Sequence, residues 1–249
     1  MEQVEIKKLK ELIDKAKKIV FLTGAGASTE SNIPDFRGSG GLWKNNQSFA
    51  SLISKSYFNR NPKDFWKSYK EIFSIKLLQQ YEPNSGHYFI TQLQNSGKDI
   101  TVITQNIDGL HTKAGTKDVF EVHGTLQTAT CPKCKTVYDI DYIRENEIPR
   151  CNKVNAKESK CEFILKPDVV LYGDQIKSFN QALGAAYDSD LFIVMGSSLE
   201  VGPINTIPKY IGDTNIPTVL INKEKTDLDD YFDLCIYDKI GNVVKELKK

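Results

Sequence analysis

Short apolar runs recur along this chain, and each ends in polar or glycine-rich residues. Segments 19–22, 100–104, 119–122, 168–172, 191–195, 218–221 and 234–237 read as strands. Most are too continuously apolar for a sheet with one wet face, so they are expected to be buried on both sides. Between them the spacing turns helical. In 4–18, Ile6, Leu9, Leu12, Ile13 and Ala16 share one face. Segment 49–80 is helical and aromatic, with Phe58, Phe65, Trp66, Tyr69 and Phe73, and Pro62 suits a helix start. The run 83–86 opens a helix over 87–94, and 243–247 is a final helix. The glycines and asparagines of 38–46 mark a loop. Strands alternating with helices predict an α/β fold with a parallel sheet covered on both faces.

The polar residues gather just after strand ends, the edge where open α/β sheets hold ligands. The first strand runs into Gly24-Ala25-Gly26-Ala27-Ser28. Two glycines allow close backbone approach, and a helix start offers N–H donors to an anion, which suits a pyrophosphate. The dinucleotide fingerprint is incomplete, because Thr29 stands where a third glycine would fall and no Asp or Glu occurs between Phe36 and Lys63. That argues against an ordinary dehydrogenase. Other strand ends offer Gln105-Asn106-Ile107-Asp108, His123-Gly124, Gly173-Asp174, Gly196-Ser197-Ser198 and Asn222. His123 is the candidate general base, since imidazole titrates near neutrality. His87, beside Tyr88 and Phe89, reads as a packing residue, and His111 as structural or as support for the site.

Net charge is +1, so nothing suggests a general grip on nucleic acid or an anionic membrane. The apolar runs are too short to span a bilayer, and the N-terminal segment has no signal-peptide pattern, so a cytoplasmic protein is expected. In that setting the five cysteines read as metal ligands and a spare. Cys131 and Cys134 form a CxxC pair, and Cys151 and Cys161 would close a tetrahedral thiolate site. Four cysteine ligands leave no open position, so the metal, expected to be zinc, is structural. Cys235, in an apolar strand, reads as a core residue.

Together these motifs resemble the sirtuin (Sir2-like) family, bacterial type. The carriers are Gly24 to Ser28, Ile33-Pro34-Asp35-Phe36-Arg37, Gly41-Leu42-Trp43, Thr104 to His111, Val122-His123-Gly124, the four cysteines, Lys166 to Asp174, Gly196 to Leu199, and Asn222. The resemblance implies a Rossmann-like parallel-sheet domain with a smaller domain made of a helical insertion and a four-cysteine zinc module. The expected boundaries are 1–37, 92–124 and 166–249 for the large domain, 38–91 for the cofactor loop and helical module, and 125–165 for the zinc module.

The resemblance also implies an NAD-dependent protein lysine deacylase that consumes NAD as co-substrate. Its products would be lysine, nicotinamide and O-acyl-ADP-ribose. NAD would be bound by Gly24, Ala25, Gly26, Ser28, Asp35, Phe36, Arg37, Gln105, Asn106, Ile107, Asp108, Gly196, Ser197, Ser198, Asn222 and Ile240. Catalysis would fall to His123 and Asn106, with Gln105 helping to hold ribose and water and Asp108 holding the nicotinamide amide. Val170, Leu171, Tyr172 and Gly173 would pair with an acyl-lysine peptide as an added strand. Lys166 and Asp174 depart from the usual Arg and Glu of that motif, and Tyr172 from its Phe. An ungapped alignment sets Tyr69 at an acyl-selecting position with Ile72 replacing an Arg, which favours acetyl or another neutral acyl group. Partners would be acyl-lysine proteins, without nucleic acid or membrane, and a monomer is expected. Rival readings are an ADP-ribosyltransferase using the same NAD site, a zinc-containing dehydrogenase, and a non-enzymatic zinc binding module.

Overall fold

The structure, a computed structural model, describes residues 3–34, 48–74, 80–154 and 158–249. The expected loop at 38–46, and Asp35, Phe36, Arg37 and the 41–43 motif, lie outside the described residues.

Strand β1 (Lys18–Thr23) shows how the apolar pattern becomes a sheet. Ile19 and Phe21 enter one core, Val20 and Leu22 the other, and all four are fully buried. Successive side chains of a strand point to opposite faces, so two covered faces demand an unbroken apolar run. β7 (Leu191–Met195) repeats the pattern, with Leu191, Ile193 and Met195 on the first face and Phe192 and Val194 on the second. With β2 (Asp99–Thr104), β3 (Asp118–Glu121), β8 (Thr218–Asn222) and β9 (Leu234–Tyr237), they form a six-stranded sheet of order β3-β2-β1-β7-β8-β9. Every pairing in it is parallel.

Helices Gln3–Lys15, Ser85–Asn95 and Ile240–Leu247 cover one face, while Phe179–Tyr187 and Thr206–Gly212 cover the other. The first helix stops short of the expected residue 18. The Lys17 and Lys18 N–H groups instead donate to the Asp190 carboxylate at 3.0 and 2.9 Å, which starts the strand. Helix Ser85–Asn95 packs Phe89 and Ile90 into the core of the large sheet.

A second core lies beside this one. Helices Ser48–Leu52, Lys55–Arg60 and Pro62–Ile72 replace the single helical stretch expected over 49–80. They pack with helix Ile140–Glu145 and an antiparallel sheet of order β5-β4-β6, where β4 is Gly124–Thr130, β5 Val137–Asp139 and β6 Lys166–Val169. Phe65, Trp66 and Tyr69 fill its centre, and Trp66 Nε1 donates to the Leu165 carbonyl at 2.7 Å. The aromatic helix and the cysteine segment therefore share one interior.

The run 168–172 is a correction. Its apolar pattern groups it with the parallel strands, yet β6 pairs antiparallel to β4 in the small sheet and ends at Val169. Only alternate residues, Pro167 and Val169, are buried there. Apolarity in a short run does not say which sheet receives it.

β1 is flanked by β2 on one side and β7 on the other, so the chain reverses its direction of travel across the sheet at this point. Such a switch point leaves a crevice outside the carboxyl ends of the strands.

Candidate active site

A cleft of about 1380 Å³ occupies that crevice. It is lined by Ala25, Gly26, Gln105, Asn106, Ile107, His123, Val170, Leu171, Tyr172, Gly173, Gly196, Ser197, Ser198, Asn222 and Ile240, all expected from the sequence. The turns after β1 and β7 touch at its floor. The Gly26 N–H donates to the Gly196 carbonyl at 2.8 Å, and a Cβ on Gly26 would lie 2.8 Å from the Gly196 Cα. Gly196 has φ +63°, and its own Cβ would lie 2.4 Å from the Ala27 nitrogen. Only glycine fits at either position.

The element after β1 is a 3-10 helix, Ala25–Ser31. Its Gly26 and Ala27 N–H groups already bond to the carbonyls of Gly196 and Gly24, so these donors close the turn and are not offered to an anion as expected.

Asn106 ties the turns together from beneath. Its side-chain nitrogen donates to the Gly24 carbonyl and to Ser28 Oγ, both at 3.0 Å, and its N–H donates to Thr104 Oγ1 at 3.1 Å. Ser28 is buried and donates in turn to Asp108 Oδ2 at 2.8 Å. Gly24, Ser28 and Asp108 thus stand behind the cleft wall. The Ser28 hydroxyl thus accepts from Asn106 and donates to Asp108.

His123 lines the cleft, and its Nδ1 lies 3.0 Å from the Gln105 carbonyl. A carbonyl only accepts, so Nδ1 carries the proton and Nε2 is the basic nitrogen. The Gln105 side chain accepts from Ser197 Oγ at 2.9 Å, while its Nε2 is buried without a partner in the protein. That orphan donor suits a polar ligand in the cleft.

Glu121 ends β3, two residues before His123, and sequence reasoning does not single it out. Burial, then the charge on Asp108, raises its carboxyl from an ordinary 4.5 to about 7. A carboxyl whose folded value is raised adds stability while protonated, and that stability is lost as pH rises through about 7. Discounted for partial exposure, ionisation destabilises the fold by about 1–2 kcal/mol. Thermal melts should therefore show Glu121→Gln stabilised relative to the parent at pH 8, with the difference gone only at about pH 4 and below, where both states hold the proton. Equal melting of the two proteins at pH 8 would refute this.

The edge predicted to accept a substrate strand is partly filled. Tyr172 N–H donates to the Ile53 carbonyl at 3.2 Å, and the Tyr172 carbonyl accepts from Lys55 N–H at 2.9 Å. Val170 N–H donates to the His123 carbonyl at 2.8 Å. Leu171 closes a turn with Asp174, and Gly173 follows at the cleft wall. Lys166 and Asp174, two of the three departures from the family motif, are partners at 2.8 Å. Burial works against the charge on Asp174, but Lys166 and the Leu171 N–H hold its carboxyl below the usual range.

Tyr69 is a further correction. It lies in the second core between Phe65, Trp66 and Phe73, away from the cleft lining. The alignment that sets Tyr69 and Ile72 in acyl-selecting positions therefore loses its support. The cleft-lining aromatic of that segment is Phe73. Ile53 and the stretch 223–227 also line the cleft, and sequence reasoning misses both. The stretch 223–227 directly follows Asn222 at a strand end, a signal that could have found it.

The four cysteines converge. Their sulfurs all lie within 4.8 Å of one another, with Cys131 to Cys161 at 3.7 Å and Cys134 to Cys151 at 3.4 Å. A tetrahedral zinc with Zn–S near 2.3 Å separates its sulfurs by about 3.8 Å. Tyr138 Oη donates to Cys151 Sγ at 3.2 Å, a support that fixes a ligand's orientation. The set fits a structural zinc ion. Cys235 lies on β9 and is only partly buried at the margin of the second-face core, short of the core position expected.

Known proteins share this geometry and its sequence. The sequence profile of the Sir2 family matches residues 24–203. An NAD-dependent protein deacetylase of Bacillus cereus is 49% identical over 244 residues, covering 98% of this chain and 96% of its own. The Bacillus subtilis (strain 168) protein of the same name is 42% identical over 239 residues, covering 96% and 97%. A solved structure described as "Structural Basis for the Mechanism and Regulation of Sir2 Enzymes" is 36% identical, covers 99% of both chains and has a TM-score of 0.83. Another, "Sir2-p53 peptide-NAD+", is 31% identical, covers 99% and 97%, and has a TM-score of 0.82. A profile over most of the length, and relatives near half identity from end to end, agree with the cleft, and the chain belongs to the Sir2 family.

Proposed function

We propose that the cleft is the active site of an NAD-dependent protein lysine deacylase. The observation that carries this reading is the meeting of Gly26, Asn106 and His123 at one switch-point cleft, in a chain whose relatives are NAD-dependent protein deacetylases. When bound, NAD supplies the ribose carbon that takes the acyl oxygen, with nicotinamide as leaving group. Charge develops on the ribose, so positioning matters more than a strong acid.

Asn106 and Gln105 hold ribose hydroxyls and water, the orphan Gln105 Nε2 being one donor for this. His123 takes a proton at Nε2 from a ribose hydroxyl. Asp108, which accepts from Ser28 Oγ at 2.8 Å, holds the nicotinamide amide. Ala25, Gly26, Gly196, Ser197 and Ser198 form the wall for the phosphates, and Asn222 and Ile240 that for the adenosine. Gly173 and its neighbours hold the substrate backbone. Asp35, Phe36 and Arg37 belong to the same reading, on the sequence motif alone.

The expected division is kept in this reading with two changes: helix Ser85–Asn95 goes whole to the large sheet that it packs on, and β6 (Lys166–Val169) goes to the small sheet that it pairs in. Among the described residues no helix is long and apolar enough to cross a membrane. A zinc-thiolate site and no disulfide among the cysteines suit the cytoplasm. A monomer without nucleic-acid partners is part of the same reading.

Mass spectrometry of an acetyl-lysine peptide incubated with the protein and NAD tests the reaction. The peptide should lose one acetyl group, with nicotinamide and O-acetyl-ADP-ribose appearing only when NAD is present. An unchanged peptide with ADP-ribose on protein would point to the transferase, and NADH absorbance to a dehydrogenase.

A further inference from the structure

Two histidines outside the cleft lining carry an unanswered hydrogen-bond question. His87 and His111 are almost wholly buried, and their ring centroids are 4.6 Å apart. The Asn84 N–H donates to His87 Nδ1 at 3.2 Å, so the His87 proton sits on Nε2. Thr23 Oγ1 donates to Thr104 Oγ1 at 2.9 Å, which uses its single proton. His111 Nε2, 2.9 Å from the same Thr23 oxygen, must then be the donor, and His111 Nδ1 is an acceptor. His87 Nε2 and His111 Nδ1 are the two ring nitrogens left buried without a partner. One is a donor and the other an acceptor, on neighbouring rings. Burial lowers both rings, to about 4 and about 3, so each stays neutral and keeps its tautomer near pH 7.

Each ring is anchored to a different wall of the cleft. Asn84, which caps the helix carrying His87, donates to the Ala27 carbonyl at 2.8 Å and to Ser31 Oγ at 3.1 Å, gripping the turn after β1. His111 leads through Thr23 and Thr104 to the N–H of Asn106. We propose that His87 and His111 are positioning residues acting as a pair. His87 Nε2–H is donated to His111 Nδ1 through one water, and locks the Asn106 turn in register with the turn 24–28. The catalytic consequence rests on the deacylase reading, but the structural link does not.

Two substitutions of His87 separate coupling from helix capping. His87→Asn keeps an acceptor for Asn84 N–H and loses the Nε2 donor. His87→Gln keeps a donor near Nε2 and loses the capping acceptor. Coupling predicts that the Asn variant loses about 10-fold or more in kcat, with KM for the peptide nearly unchanged, while the Gln variant stays near the parent. A cap alone predicts the reverse order. The second readout needs no activity: the amide resonance of Asn106 in a 1H–15N spectrum should move in His87→Asn and stay in His87→Gln. A folded Asn variant with parental kcat and an unmoved Asn106 amide would overturn the proposal. If the parent itself removes no acyl group, the deacylase reading fails and the Asn106 amide alone decides the coupling.

Discussion

Replacing His123 with alanine is expected to lower kcat for deacylation by ~10²–10⁴-fold, the usual worth of a positioned general base. The fold should survive. The link that His123 makes to the segment after β6 runs through its carbonyl, which accepts from Val170 N–H whatever the side chain. The imidazole does two separable things: Nδ1–H holds the Gln105 carbonyl at 3.0 Å, and Nε2 takes a proton. Asparagine can imitate the first with its amide nitrogen but has no base for the second. His123→Asn should therefore be as slow as His123→Ala, with a similar KM for NAD in both. If asparagine restores most of the rate, the ring is a positioning group and the general-base assignment falls. If alanine keeps the parental kcat, His123 has no part in the chemistry.

That test is possible because much of the site is legible in the sequence, and the reasons are physical. β1 and β7 can be read because both faces are covered, which removes polar residues until the strand ends and so marks the cleft edge itself. Gly24 and Gly26 can be read as allowing a close approach, although nothing in the spacing says that Gly26 touches Gly196. The run 168–172 is misplaced by its pattern because four or five apolar residues fit a parallel or an antiparallel neighbour equally well. A motif gives residue identity and order but not facing, so it does not say that Ser28 and Asp108 bond to each other. In the fold they turn towards each other and support Asn106. Tyr69 fails for the same reason, as the helix Pro62–Ile72 turns it into the core. The Lys166 and Asp174 departures look like two separate substitutions, and only the 2.8 Å contact makes them one ion pair.

Removal of the metal is the second large effect. The four sulfurs hold together the chain between β4 and β6, and Cys131 and Cys151 are themselves part of the second core with Trp66 and Leu165. Once the cation is gone nothing bonds the four sulfurs to one another across their 4.8 Å cluster, and the structure offers no disulfide in its place. Structural zinc in small fingers contributes ~10–16 kcal/mol of apparent binding energy, and in such domains that binding energy is folding energy. The six-stranded sheet has its own cores and no cysteine ligand in them, so it should remain folded. Strong chelation should thus unfold one lobe and spare the other. Trp66 reports on the lobe that melts, read in a Trp43→Phe background because the chain has two tryptophans. Its emission should shift to the red as its ring and its bond to the Leu165 carbonyl are exposed. Activity should vanish together with that shift, because Ile53 and Val169 to Gly173 line the cleft from this side. Zinc added back should restore both, and Cys131→Ala should reproduce the chelated state without any chelator. Full activity and unshifted Trp66 emission in metal-free protein would show that the second core stands without the ion.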